Sequence, residues 1–99
     1  MPATEFAGVV YPSVFKITVA GVNPASHGAV ASVNTPVVAA DVKVGDTVVA
    51  IPPATLEAGI AVQACHTVVD GGFQLRTTNG SAGAVDPASA AWDFLVYRR

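Results

Sequence analysis

The chain has 99 residues, a net charge of −2, a pI near 5.4, and five basic residues that are scattered rather than grouped: Lys16, Lys43, Arg76, Arg98 and Arg99. Tracking nucleic acid needs clustered cations that release counterions from phosphates, so this composition excludes it. One cysteine, Cys65, leaves no intrachain disulfide framework, and no apolar run approaches the ~18 residues that cross a bilayer as a helix, so no membrane partner is expected.

Ninety-nine residues form one domain able to bury roughly 60–70% of its unfolded surface without staples. Valine supplies 18 residues and leucine 3; β-branched side chains suit a pleated, half-buried surface better than a helix. Charged residues make up 12% and apolar ones 52%, against about 25% charged in ordinary domains. Apolar surface left outside the core is therefore expected to be covered by further copies of the chain or by a larger partner. MPATEF lacks the basic and apolar regions of a secretory leader, so the chain is expected to stay where it is made.

Residues 1–12 read as an apolar N-terminal arm or edge strand ending at Pro12, and residues 13–99 as a single domain. From Val14 to Val22, Phe15, Ile17 and Val19 alternate with Lys16, Thr18 and Ala20, the period of a strand with one buried face. Gly21 to Ser32 is a loop leading to a strand near Val33 or Thr35, followed by the short apolar run Pro36 to Ala40. Lys43 to Asp46 turns into the strand Thr47 to Ile51, which Pro52-Pro53 ends. Ala54 to Ala58 has the flanks of a single helical turn.

Ile60 to Val69 is the longest predicted strand, with Ile60, Val62, Ala64, His66 and Val68 on one side and Ala61, Gln63, Cys65, Thr67 and Val69 on the other. Asp70-Gly71-Gly72 closes a hairpin onto Phe73 to Thr78, where Phe73, Leu75 and Thr77 point inward. After a loop from Asn79 to Ala91, Trp92, Phe94 and Val96 share one face of a closing strand. Six to eight short strands at this spacing predict an all-β fold, an antiparallel β-sandwich or jelly-roll-like barrel.

No constellation of reactive side chains accompanies these strands. Cys65 and His66 are adjacent, so in a strand they point to opposite faces and cannot grip one metal ion. Cys65 reads as a small buried apolar residue. The carboxylates Glu5, Asp41, Asp46, Glu57, Asp70, Asp86 and Asp93 are spread singly, mostly beside turns. Asn79-Gly80-Ser81 reads as turn chemistry rather than a glycosylation site. Trp92, Phe94 and Tyr97 read as core rather than a binding patch. No cofactor, metal, small-molecule substrate or enzymatic activity is expected.

Val44-Gly45-Asp46, the valine strand, Pro52-Pro53, Leu56-Glu57-Ala58-Gly59-Ile60, the Asp70-Gly71 hairpin, Asn79-Gly80-Ser81-Ala82 and Val85-Asp86-Pro87-Ala88, closed by a strand ending in arginine, follow one another in an order that resembles the small head decoration, or cement, proteins of tailed bacteriophages. The resemblance covers about Val42 to Arg98 and departs from the pattern at Asp70-Gly71-Gly72-Phe73, where similar chains carry a longer polar run. It implies a virion structural protein, made in the host cytoplasm, that sits on the outer surface of the head as a homotrimer and stabilises the shell by bridging major capsid subunits. On this reading Phe6, Val9, Val10 and Tyr11 of the arm contact the shell or a neighbouring copy. The alternative is a fibre, tail or baseplate module whose loops at Gly21 to Ser32 and Asn79 to Ala91 recognise a host surface; those loops lack the aromatic and arginine anchors that concentrate binding energy.

Overall fold

Two three-stranded antiparallel sheets face each other in the computed structural model, which describes residues 4–6, 9–11 and 13–99. The strands are β1 (Thr4–Phe6), β2 (Val9–Tyr11), β3 (Ser13–Val22), β4 (Ser32–Val38), β5 (Thr47–Ile51), β6 (Ile60–Val69), β7 (Gly72–Asn79) and β8 (Ala90–Arg98). One sheet has the order β3-β8-β5 and the other β4-β7-β6, while β1 and β2 form a separate two-stranded ribbon. The chain is an all-β sandwich, and the described residues contain no helix.

The central strands β7 and β8 carry the strictest alternation, because each is flanked on both edges and covered on one face. Phe73, Leu75 and Thr77 of β7 meet Trp92, Phe94 and Val96 of β8, and all six are buried. Phe73 and Phe94 pack edge to face across the sandwich, their centroids 4.9 Å apart at 72°, an arrangement that adds to plain area burial. Phe15, Ile17 and Val19 of β3 pack on this core. Their neighbours Lys16 and Thr18 lie outside, where Thr18 Oγ1 donates to Asp93 at 2.6 Å.

Three of the four edge strands, β3, β4 and β6, carry a local irregularity. In β4 the hydrogen bonds from Ala39 N to Gly71 O and from Asn79 N to Ala31 O set the ladder phase. Pro36 is therefore among the alternate residues whose backbone faces the open edge, where its missing N–H removes no ladder bond. Bulges interrupt β6 between Val62 and Ala64 and between His66 and Val69, and β3 between Val19 and Val22. Edge charge, proline and bulges all discourage unwanted strand pairing.

Several local expectations change. Ala54 to Ala58 forms no helical turn: Leu56 N bonds Pro53 O and Ile60 N bonds Glu57 O, giving two tight turns, because the segment is too short to nucleate a helix. The strand expected near Val33 or Thr35 and the apolar run as far as Val38 are one strand, β4, running through Pro36, while Ala39 and Ala40 lie beyond it. Within the arm, β1 and β2 pair antiparallel with each other. In β6 the first bulge reverses the phase, so Ile60, Val62 and Cys65 face the core whereas Ala64 and His66 pair with the outward residues Arg76 and Gln74. The second bulge, with Thr67 at φ 53°, returns Val68 to the core side.

Candidate interaction surface

The ribbon and one end of the sandwich are continuous. In β1–β2, Thr4 pairs with Tyr11, Glu5 with Val10 and Phe6 with Val9. Directly opposed residues share a face, so Thr4, Phe6, Val9 and Tyr11 occupy register positions of one face, and Glu5 and Val10 those of the other. Of the four residues expected to contact a partner, register thus places Phe6, Val9 and Tyr11 on one face and Val10 on the other; the contacts themselves concern side chains outside the described structure. The ribbon joins the sandwich at Ser13, which pairs with Arg98 at the end of β8.

That same end carries three exposed valines. Val38, Val44 and Val69 are 83, 70 and 51% exposed, and they arrive from three different segments. Val38 and Val69 both pair with Gly72, one from each side, so they flank a residue without a side chain. Val44 is drawn in by its amide, which donates to Asp70 Oδ1 at 2.9 Å, while Gly71 accepts from Ala39 N and donates to Val42 O. Sequence reasoning did not single these valines out. A cue was present in Val37-Val38 and Val68-Val69, since two consecutive valines in a two-faced strand must put one outside.

The 41–46 turn that presents Val44 is clamped from the far end of the chain. Arg98 donates from Nε to Asp46 Oδ1 at 3.0 Å and from Nη2 to Asp46 Oδ2 at 2.8 Å, and Nη2 also reaches Asp41 O at 2.7 Å. The Lys43 amide donates to Asp46 Oδ2 at 2.9 Å, and the guanidinium lies 5.1 Å from the Phe15 ring centroid. The Arg98 fork holds the Asp46 carboxyl below its ordinary value, against the opposing effect of burial.

The reactive groups are spread apart. Cys65 packs against the core, and burial pushes its thiol up to about 11, which makes it a poor nucleophile at neutral pH. His66 lies on the outer face, where Nε2 meets Asn34 Oδ1 at 3.0 Å. His27, within the loop expected from Gly21 to Ser32, is fully buried. Its Nε2 and Thr77 Oγ1 hydrogen-bond at 2.7 Å, its backbone bridges Val85 in both directions, and Nδ1 has no partner.

The sequon asparagine is buried beside His27. Asn79 donates to Gly28 O and Gly83 O and accepts from the Ser81 amide and hydroxyl, so it pins two loops together as turn chemistry. Among the described residues no three His, Cys, Asp or Glu side chains form a metal-ligating group.

A cavity of about 200 Å³ at the opposite end is lined by Pro24, Leu56, Glu57, Pro87 and Trp92. Its carboxylate already accepts from the Ala88 amide at 3.0 Å, and it is smaller than the roughly 300–1,000 Å³ pockets that take small ligands. Of the five large exposed hydrophobic side chains among the described residues, three, Val38, Val44 and Val69, lie at the valine-bearing end. No protein-family model, no curated protein and no solved structure matches the chain.

Proposed function

We propose that this chain is a structural subunit of a tailed-bacteriophage virion, a decoration or cement protein that sits on the outer head surface as a homotrimer and stabilises the shell by bridging major capsid subunits. One observation carries the reading: a two-stranded ribbon and three exposed valines project from the same end of a sandwich with 12% charged residues. Such an end makes an assembly contact when covered, and leaves an aggregation liability when bare. The order of turn and strand motifs from Val42 to Arg98 supports the phage assignment.

The mechanism is mechanical. Each copy adds interface across a boundary between shell subunits, and attachment through several copies of a trimer offsets a small contact per copy. Closed rotational symmetry suits such a trimer. The ribbon, with Phe6, Val9, Val10 and Tyr11, contacts the shell or a neighbouring copy.

The test is attachment of the full chain, and of a variant lacking residues 1–12, to decoration-free heads. The expected outcome is many copies spread over the head for the full chain and none for the deletion, with the sandwich circular-dichroism spectrum unchanged. Unchanged attachment of the deletion overturns the role of the ribbon, and a few copies confined to one vertex or the tail overturn decoration itself.

A further inference from the structure

The two sheets leave an open seam between the edge strands β3 and β4. Two adjoining cavities of about 310 and 440 Å³ run along it and share Val19, Ala20 and Val38. Among the described residues β3 pairs only with β8 and β4 only with β7, so each presents one row of backbone groups along its open side. Pro36 interrupts the row on β4. The row on β3 from Ile17 to Val19 precedes the bulge, in which Ala20 lies, and contains no proline. At the floor of the seam, Thr35 is 8% exposed and its hydroxyl has no hydrogen-bond partner. A buried hydroxyl without a partner is costly, and here it belongs to a residue that lines the wider cavity.

The same chain holds a second incomplete element. Among the described residues β1 and β2 pair only with each other, and a two-stranded unit alone is marginal in water. β2 is tied through residue 12 to its own β3, whereas the outer edge of β1 has no strand partner among the described residues. An edge that needs a strand and a strand that needs an edge thus occur in every copy and are not joined within one.

We propose that the ribbon of one copy adds to the β3 edge of a neighbouring copy, with β1 lying in the β3–β4 seam. A row of alternating amides and carbonyls at strand spacing is matched by an extended polypeptide. The apolar wall of Val19, Pro36 and Val38 suits a segment as apolar as the arm. A backbone group of the incoming strand supplies the partner that Thr35 Oγ1 lacks. Because each copy gives a ribbon at one place and receives one at another, the contact is head to tail, and three such contacts make the ring of the proposed trimer when the rotation between copies is a third of a turn. The inference deepens the assembly reading by naming the partner of the ribbon as a second copy, and it rests on that reading only for neighbouring copies being present.

Two full-length single variants test it, Glu5→Cys on β1 and Ala20→Cys on the β3 edge. They are mixed at micromolar concentration with a short bis-maleimide, whose reach tolerates a register slip of a residue or two. The expected result is a mixed cross-linked dimer in large excess over both the wild-type background from Cys65 and a control pairing Glu5→Cys with Ala61→Cys on the outer face of β6. Adding Thr35→Val to the Ala20→Cys chain lowers the yield about five-fold, the equilibrium effect of one hydrogen bond, without lowering the melting temperature.

Equal yields for Ala20→Cys and Ala61→Cys, no mixed product, or a strict monomer by light scattering at the same concentration overturn the proposal. A specific cross-link in a protein that does not attach to heads overturns the shell assignment and leaves the ribbon exchange standing.

Discussion

Arg98 closes a two-pronged hydrogen-bonded ion pair on Asp46, 52 residues earlier in the chain, with both nitrogen–oxygen distances at or below 3.0 Å. Asp46 is buried while the arginine side chain is about one-third exposed, so this contact tethers the last strand to the 41–46 turn and holds Val44 in place. Exposed ion pairs contribute little, but a two-pronged arginine fork onto a buried carboxylate is the favourable exception.

Asp46→Asn is expected to lower the melting temperature on the order of 5 °C at neutral pH. A carboxyl held low in the folded chain adds stability that is complete above its unfolded value, 3.8, and is lost as the pH falls through its folded value. The difference between wild type and variant therefore shrinks on acidification below about pH 4. Melting curves from pH 7 to pH 2 that run parallel for the two proteins would show that the fork adds nothing.

Gly72→Ala is expected to be severe. A Cβ at this position would lie 2.5 Å from Val37 O, and the obstacle is the backbone of β4 rather than a movable side chain. Overpacking of this kind costs roughly 1–3 kcal/mol or more. Chemical denaturation should show that loss, while Gly83→Ala, with nothing within 4 Å of the added carbon, stays near wild type.

Val30→Asn is expected to stabilise. Val30 holds φ at 56° and is 76% exposed, so a β-branched residue sits in the left-handed region with no packing to offset the strain. Asparagine tolerates that conformation, and the gain should be about 0.5–1 kcal/mol in a urea titration. A loss of stability would mean that the valine makes a contact worth more than its backbone strain.

Cys65 should resist alkylation. Burial raises its thiol from 9.0 to about 11, so at pH 8 the folded protein should react about 100-fold more slowly with a maleimide than the unfolded chain does. Because the folded state holds this proton more tightly, stability present below pH 9 declines between pH 9 and 11. Cys65→Val should flatten that decline, and equal alkylation rates for the folded and unfolded protein would contradict the burial argument.

Sequence alone determined the strand content and the facing of the two central strands. In Phe73, Leu75, Thr77 and in Trp92, Phe94, Val96 the alternation is uninterrupted, and a period of two is a local property that neighbouring residues carry. The same holds for the Asp70-Gly71 turn, where Gly71 adopts φ 92°, and for Lys43 to Asp46. Tertiary structure decided whatever depends on partners far along the chain or on a break in period. The bulges of β6 reverse which residues are buried, and each is set by pairing with β7. His27 became core only because Thr77 and Val85 come to it, and Asp46 gained Arg98 only when β8 lay beside β5. The valine end was likewise assembled from three segments, because Val38 and Val69 meet only by pairing with Gly72 from either side and Val44 only through its hydrogen bond to Asp70.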